Sequence, residues 1–157
     1  MERTTDRHIT KLENHQIFVF GSNLSGIHGA GAAKTALSFG AEIGKGTGLQ
    51  GNTYAIPTKD ATVYNTLSID EIKNYVDDFI SFAISHSEYT FLVTEIGCGL
   101  AGLTHQQIAP LFKDAIGVSN IHLPEPFWNI LTCMSIDVKI LPTGGRFYPD
   151  FTEIIIK

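Results

Sequence analysis

Two glycine-rich segments contain the residues of this 157-residue chain that could do chemistry. The first segment, residues 21–33, follows an apolar run and reads GSNLSGIHGAGAA, and the second, residues 97–103, follows another and reads GCGLAGL. A strand, a glycine loop and the start of a helix together expose backbone N–H groups that can bind phosphate. Two such segments in one small domain could hold a diphosphate from both sides.

Polar side chains of the first segment have both a functional and a structural interpretation. Asn23 carries an amide that both donates and accepts, which suits a ribose hydroxyl or a carbonyl. In the structural interpretation, Ser22 and Asn23 form a turn and the glycines only permit close packing of helix and sheet. A GxG pattern is too common to decide between the two. His28 could donate to a ligand, but an exposed position on the loop is favoured.

Other reactive side chains lie at the ends of predicted strands. Cys98 could be a nucleophile, but no histidine is brought to it by the sequence, and a small buried residue is favoured. Glu95 ends an apolar strand, where a charge is costly unless it is paired or functional, so an acid/base role and a structural role stay equally open. Lys59 and Asp60 end another strand, where a solvated ion pair in a turn is favoured over a position in a cleft.

Several classes of protein are excluded by missing motifs. The chain has no HExxH, GxxxxGK[ST] or GxSxG, which excludes zincin proteases, P-loop NTPases and α/β-hydrolases. Cys98 and Cys133 form neither a CxxC pair nor a disulfide framework, so no metal and no cofactor is predicted, and a reducing cytoplasm fits best. Trp128 could stack on a base, although a lone tryptophan more often covers a core.

Composition indicates one folded domain over residues 1–157 and argues against two kinds of partner. Hydrophobic residues make up 43% of the chain and charged residues 17%, which is ordinary for a folded domain. The net charge of −5 argues against binding along a nucleic-acid backbone, which needs an excess of Lys and Arg. No apolar run approaches the roughly 18 residues of a membrane span, and the charged N-terminus does not read as a secretory signal. The oligomeric state cannot be inferred.

Strand-like and helix-like segments alternate along the chain, which predicts an α/β fold with a mixed, largely parallel central sheet. Strands are expected at 15–20, 53–57 (stopped by Pro57), 89–96 and 119–124. Helices are expected at 29–39, after Ser68 with Glu71 as its capping-box partner, and at 105–116 after Thr104. Residues 40–52 are expected to form a mobile loop, and residues 136–141 and 152–156 to form β-runs of unclear pairing. Ligands of such sheets bind beyond the carboxyl ends of the strands. Both glycine segments should therefore lie on one edge and form one site.

Taken together, the motifs resemble the macrodomain family, and in particular a subgroup of small macrodomain-like proteins from phages and bacteria. The resemblance covers about residues 9–128 and depends on FGSN (20–23), HGAGAA (28–33), GLQG with YAIPTKD (48–51 and 54–60) and IGCGLAG (96–102). It implies a three-layer α/β/α sandwich that binds ADP-ribose or a related NAD-derived nucleotide. Some members hydrolyse ADP-ribosyl bonds or ADP-ribose phosphates. The alternative is a non-catalytic sensor or sequestering protein for an NAD-derived signal.

The resemblance also implies roles for individual residues. Ligand contacts are implied for Asn23, Gly29, Ala30, Gly31 and Ala32 in the first segment and for Gly97, Cys98, Gly99, Leu100 and Ala101 in the second. Ser22 and His28 are further candidate ligand contacts. Apart from the resemblance, the mechanism we expect is attack by water at the distal ribose, with Asn23 orienting the ribose and Asp60 or Glu95 acting as base. The chain departs from many macrodomains in having His8, with Asp6 two residues earlier, at the position of the aspartate that reads adenine. Gly21 and Ser22 replace a second asparagine.

Overall fold

A five-stranded sheet forms the centre of the protein, with the strand order β2-β3-β1-β4-β5. The computed structural model describes residues 3–140. The strands are β1 (Gln16–Asn23), β2 (Gly48–Gln50), β3 (Thr53–Lys59), β4 (Thr90–Val93) and β5 (Ile121–His122). Strand β2 is antiparallel to β3, and the other three pairings are parallel. The predicted α/β fold with a mixed, mostly parallel sheet is therefore confirmed.

Helical segments connect or follow these strands. They are α1 (Gly31–Leu37), α2 (Ile69–Ser85), α3 (His105–Ile108), a 3₁₀ helix (Ala109–Ala115) and α4 (Glu125–Ile140). The Ser68 hydroxyl accepts from the Glu71 N–H, and the Glu71 carboxylate accepts from the Ser68 N–H, which is the predicted capping box of α2. Thr104 and Gln107 form the same arrangement at the start of α3, so the helix starts predicted after Ser68 and Thr104 are confirmed.

Alternate residues of β1 face two separate cores, as the two-residue period of a strand requires. Ile17 and Val19 belong to a large core that includes buried residues of α2, the 3₁₀ helix and α4. Phe18 and Phe20 belong to a smaller core that includes the alanines of α1. Helical segments therefore cover both faces of the sheet, which is compatible with a three-layer sandwich.

Three predicted elements need correction. Residues 136–140 continue α4 and are not a β-run. The prediction was wrong because a short apolar run cannot distinguish the helical period from the strand period. Residues 141 and 152–156 lie outside the described residues. The predicted loop 40–52 contains β2, which pairs with β3. Pro57 does not stop β3, which continues to Lys59, because β2 no longer pairs with β3 at that level and no N–H is needed there.

Other element bounds differ from the prediction by a few residues. Strands β4 and β5 are shorter than the runs at 89–96 and 119–124, whereas β1 extends to Asn23. The helix predicted at 105–116 is a single α-turn followed by a 3₁₀ helix. Pro110 contributes to this change, because it has no N–H to continue the α-helical hydrogen bonds.

Candidate functional site

The two glycine segments meet at the carboxyl ends of the neighbouring strands β1 and β4. Strand β1 leads into α1 on one face of the sheet, and β4 leads into α3 on the other face. Connections that leave adjacent parallel strands toward opposite faces produce a crevice between them. The two backbones are close, since a Cβ on Gly21 would lie 3.4 Å from the Gly97 nitrogen. The prediction that both segments share one edge is confirmed.

A cleft of about 1190 Å³ occupies this crevice. Both glycine segments line it, through Ser22, Asn23, Gly29, Ala30, Gly31 and Ala32 on one side and Gly97, Gly99, Leu100 and Ala101 on the other. Three further parts of the chain contribute to the lining: residues 4–10, residues 58–59 and residues 124–126. We call residues 4–10 the N-terminal wall.

Two of the glycines that line the cleft have no structural reason to be glycine. A Cβ on Gly29 or Gly99 would meet no atom within 4 Å, and neither residue has a positive φ. Gly31 also has open space, but its φ of +60° itself favours glycine. Gly97 has a φ of +78° and packs against Ile108, whose side chain would lie 3.1 Å from an added Cβ. At Gly29 and Gly99, therefore, glycine does not serve close packing but leaves the backbone open.

Backbone N–H groups of both segments lack protein acceptors. Among the described residues, no hydrogen bond is donated by the N–H groups of Gly29, Ala30, Gly99, Leu100 and Ala101. The start of α1 also has no side-chain cap and no acidic residue in its first turn, whereas α2 and α3 have capping boxes. The cleft thus offers donors from both sides to a ligand that carries acceptor oxygens.

The side chain of Asn23 gives the first segment its shape. Its Nδ2 donates to the carbonyl of Ile27 at 2.7 Å, and its Oδ1 accepts from the Ile27 N–H at 2.8 Å and from the Ser25 hydroxyl at 3.0 Å. Ser22 is buried and donates to the Gly46 carbonyl at 2.6 Å. Both side chains therefore hold the loop, and Asn23 keeps the second N–H of its amide for a ligand.

His28 and Cys98 lie behind the cleft and are not among the residues that line it. His28 is 2% exposed, so the favoured surface position is wrong: Nε2 lies 3.0 Å from the Glu42 carbonyl and the ring meets Phe20 edge-on. Cys98 is half-buried against the large core. Burial, together with the nearby Glu95, raises the pKa of its thiol to about 11, so Cys98 is a packed thiol and not an activated nucleophile.

Asp60 organises a turn beside the cleft. Its Oδ1 accepts from the N–H and the hydroxyl of Thr62, and its Oδ2 accepts from Nδ2 of Asn65. These hydrogen bonds, with that from the Thr62 hydroxyl first, hold the pKa of the Asp60 carboxyl below its usual value. Lys59 lines the cleft but Asp60 does not, and the described residues show no ion pair between the two. Both oxygens of the Asp60 carboxylate are thus occupied within the turn.

The same turn carries backbone strain and contacts the second glycine segment. Val63 has a φ of +63°, which is rare for a β-branched residue, and it lines the cleft. The Thr66 hydroxyl donates to the Ala101 carbonyl at 2.8 Å. No sequence motif marks Val63, because its conformation depends on the turn that Asp60 closes.

Glu95 lines the cleft and pairs with His105, a residue that no sequence motif marks. Oε1 of Glu95 lies 2.7 Å from Nε2 of His105, and the two side chains are 31% and 36% exposed. The His105 ring also lies near Phe127, with 6.1 Å between the ring centres. Because Glu95 precedes the second glycine segment and His105 begins the helix after it, only the path of the loop brings them together.

The N-terminal wall is anchored by Arg3. Its guanidinium donates at 2.8 to 3.0 Å to the carbonyls of Ala115, Ile116, Val118 and Ile121. It also lies 5.0 Å from the centre of the Trp128 ring, whose Nε1 donates to the Arg3 carbonyl at 2.8 Å. Trp128 is buried and covers the large core, as favoured from the sequence.

Polar groups of the N-terminal wall face the cleft without an excess of positive charge. The hydroxyl of Thr5 is buried and, among the described residues, has no hydrogen-bond partner. The charged residues that line the cleft are Arg7, Lys59, Asp6, Glu95 and Glu125, together with His8. An anionic ligand would therefore depend on backbone donors more than on cationic side chains.

Among the side chains that the structure describes, within residues 3–134, no group of three or more His, Cys, Asp and Glu could hold a metal ion. The same part of the chain has no helix that is long and apolar enough to cross a membrane. No protein family, no curated protein and no solved structure matches this chain.

Proposed function

We propose that the cleft binds ADP-ribose or a related NAD-derived nucleotide, with the diphosphate between the two glycine segments. The observation that carries this proposal is the open backbone at Gly29 and Gly99, where glycine meets no packing or conformational need. Unpaired N–H groups flank both positions. A diphosphate presents acceptor oxygens on both sides, and backbone dipoles can bind it without cationic side chains.

The other surfaces of the cleft suit the other parts of such a nucleotide. A volume of about 1190 Å³ lies above the roughly 300–1,000 Å³ of common small-molecule sites, which leaves room for an extended ligand. The free N–H of Asn23 suits a ribose hydroxyl, and the Thr5 hydroxyl and Asp6 carboxylate suit a base. The resemblance of both glycine segments to macrodomains supports the same ligand, and we extend the fold proposal to a macrodomain-like three-layer sandwich.

Two glycine substitutions test the proposal. Gly29→Val and Gly99→Val fill open space in the cleft, so the protein should fold normally. We expect ADP-ribose binding, measured by calorimetry, to weaken by roughly 100-fold or more, because the new side chains block several charge-assisted hydrogen bonds. Gly117→Val is the matched control, since Gly117 also has open space and no positive φ but lies outside the cleft.

The outcomes separate binding from packing. If both cleft variants lose stability while the unaltered protein binds no ADP-ribose derivative, the glycines serve packing alone. If the unaltered protein binds neither ADP-ribose nor ADP-ribose 1″-phosphate, the proposed function fails. Equal losses of affinity in Gly117→Val would show that the effect does not come from the cleft.

A non-catalytic sensor or sequestering protein for an NAD-derived signal is the second candidate. Two potential catalytic groups are poorly placed for catalysis, since the Asp60 carboxylate holds a turn and does not line the cleft, and burial raises the pKa of the Cys98 thiol. Incubation of the protein with ADP-ribose 1″-phosphate, followed by phosphate assay, distinguishes a sensor from an enzyme that hydrolyses the bound nucleotide. Tight binding without phosphate release favours the sensor.

A further inference from the structure

We propose that Glu95 is the general base of this cleft and that His105 is the positioning residue that orients it. The inference rests on the proposed function, because it concerns the reaction of the bound nucleotide. Glu95 lines the cleft two residues before Gly97, and its Oε1 is held by Nε2 of His105 at 2.7 Å. Among the described residues, its Oε2 makes no hydrogen bond, so one carboxylate oxygen is free to accept a proton.

No other carboxylate of the cleft is both oriented and free. Asp60 is not among the lining residues, and both of its oxygens accept hydrogen bonds within its turn. Asp6 and Glu125 line the cleft but are exposed, and no described side chain holds either of them. A general base must be within reach of the proton it removes and fixed in orientation, and Glu95 meets the second requirement through His105.

The pair is not needed to close the second glycine segment. The Leu103 N–H donates to the Gly97 carbonyl and the Gly102 N–H to the Gly99 carbonyl, both at 2.9 Å. The Thr66 hydroxyl holds the same segment from the neighbouring turn. Since these bonds already fix the loop, the hydrogen bond from His105 acts chiefly on the Glu95 carboxylate.

The proposed step is hydrolysis at the distal ribose. A water oxygen forms a bond to C1″ of ADP-ribose 1″-phosphate, and its proton passes to Oε2 of Glu95. The bond between C1″ and the leaving oxygen breaks, and phosphate departs with the electron pair. Because the leaving group departs as an anion, no proton donor is required for it, and the proton on Glu95 is later released to solvent.

Variants of Glu95 and His105 distinguish a general base from a contact that only stabilises the loop. Glu95→Gln keeps the size of the side chain but not its basicity, so kcat for phosphate release should fall by about 10²–10⁴-fold while KM stays nearly constant. Glu88→Gln is the matched control, since Glu88 is exposed and lies before β4, at the opposite edge of the sheet. It should turn over like the unaltered protein.

His105 is tested by removal and by conservative replacement. His105→Leu removes the donor to Oε1 and should lower kcat by about tenfold or more through misorientation of the base, with KM unchanged. His105→Gln keeps an N–H donor and should restore much of that loss. Melting temperatures of all variants show whether the loop stays folded.

Each failure has a distinct signature. Full kcat in Glu95→Gln overturns the assignment of Glu95 as general base. If the effect of His105→Leu appears in KM and stability, and His105→Gln does not restore activity, then the pair between Glu95 and His105 has a purely structural role. An unaltered protein that binds ADP-ribose but releases no phosphate from ADP-ribose 1″-phosphate overturns this inference and leaves the proposed function standing. Absence of any binding removes both.

Discussion

Cys98 shows how burial decides the chemistry of a side chain beside the cleft. Its thiol has a pKa of about 11, and only the thiolate reacts with alkylating agents. At about pH 7.5 a thiol with this raised pKa has a far smaller thiolate fraction than an ordinary cysteine, so we expect Cys98 to react with iodoacetamide far more slowly than the exposed Cys133. The rate at Cys98 should rise with pH until about pH 11. Mass spectrometry of the two cysteine-containing peptides measures both rates.

Cys133 serves as the internal reference for that experiment, because it is exposed. A Cys98 that reacts as fast as Cys133 near neutral pH would contradict the raised pKa. It would also reopen the nucleophile interpretation that burial argues against.

Side chains at the site could be predicted as a group but not one by one. Asn23 ends β1 and Glu95 follows β4, and a general rule about parallel sheets brings both to one cleft. The burial of His28 depends on the Glu42 carbonyl and Phe20, and the partner of Glu95 is His105, on the far side of a loop. Such contacts are set by the path of the backbone, which neither periodicity nor a motif specifies.

Among the elements, prediction succeeded where a pattern was long or a cap was explicit. Helix α2 has apolar residues at helical spacing over several turns, together with a capping box, and both signals agree. Residues 136–140 offer only a short apolar run. Whether Pro57 ends β3 depends on which side of that strand lacks a neighbour. Strand partners are needed to interpret such positions, and strand partners are distant in sequence.

The side chain of Arg3 anchors the N-terminal wall to the rest of the domain. Lysine cannot reproduce the four guanidinium hydrogen bonds, because an ammonium group lacks the planar fork of donors. We expect Arg3→Lys to lower the free energy of unfolding by about 1–3 kcal/mol and to weaken ADP-ribose binding by loosening the wall. Denaturant unfolding and calorimetry measure the two effects.

Lys73→Ala is the control for Arg3→Lys. Lys73 pairs with Asp77 on the exposed surface of α2 at 2.8 Å, and solvent-exposed ion pairs of this kind contribute little to stability. This variant should therefore change stability little and affinity not at all. If Arg3→Lys loses stability but keeps full affinity, the wall makes no contribution to binding.

At the scale of the whole molecule, the strand order decides where the cleft forms and what surrounds it. Strand β1 lies between β3 and β4, so the loops after β1 and β4 are neighbours. Thr4 pairs in parallel with Leu123, which brings the N-terminal wall beside residues 124–126. The alternation of strands and helices predicts the edge that carries the site, but not the strand order or this long-range pairing, which depends on residues more than a hundred positions apart.

The distribution of charge over the molecule predicts a weak dependence of ADP-ribose binding on salt. The protein has a net charge of −5, and the cleft has no excess of cationic side chains. Backbone N–H groups act at contact distance, where added salt screens little. We expect Kd from calorimetry to change by less than about threefold between about 50 and 500 mM NaCl, because screening chiefly weakens exposed, longer-range charge interactions.

A strong dependence on salt would instead indicate that cationic side chains of the cleft bind the ligand. If Lys59 or Arg7 held the diphosphate by charge, Kd would rise by about tenfold or more over the same range of salt. Lys59→Gln and Arg7→Gln would then abolish that rise and lower the affinity at low salt. With backbone donors dominant, both variants should keep the flat salt response and most of the affinity, whereas Gly99→Val should lose the affinity at every salt concentration.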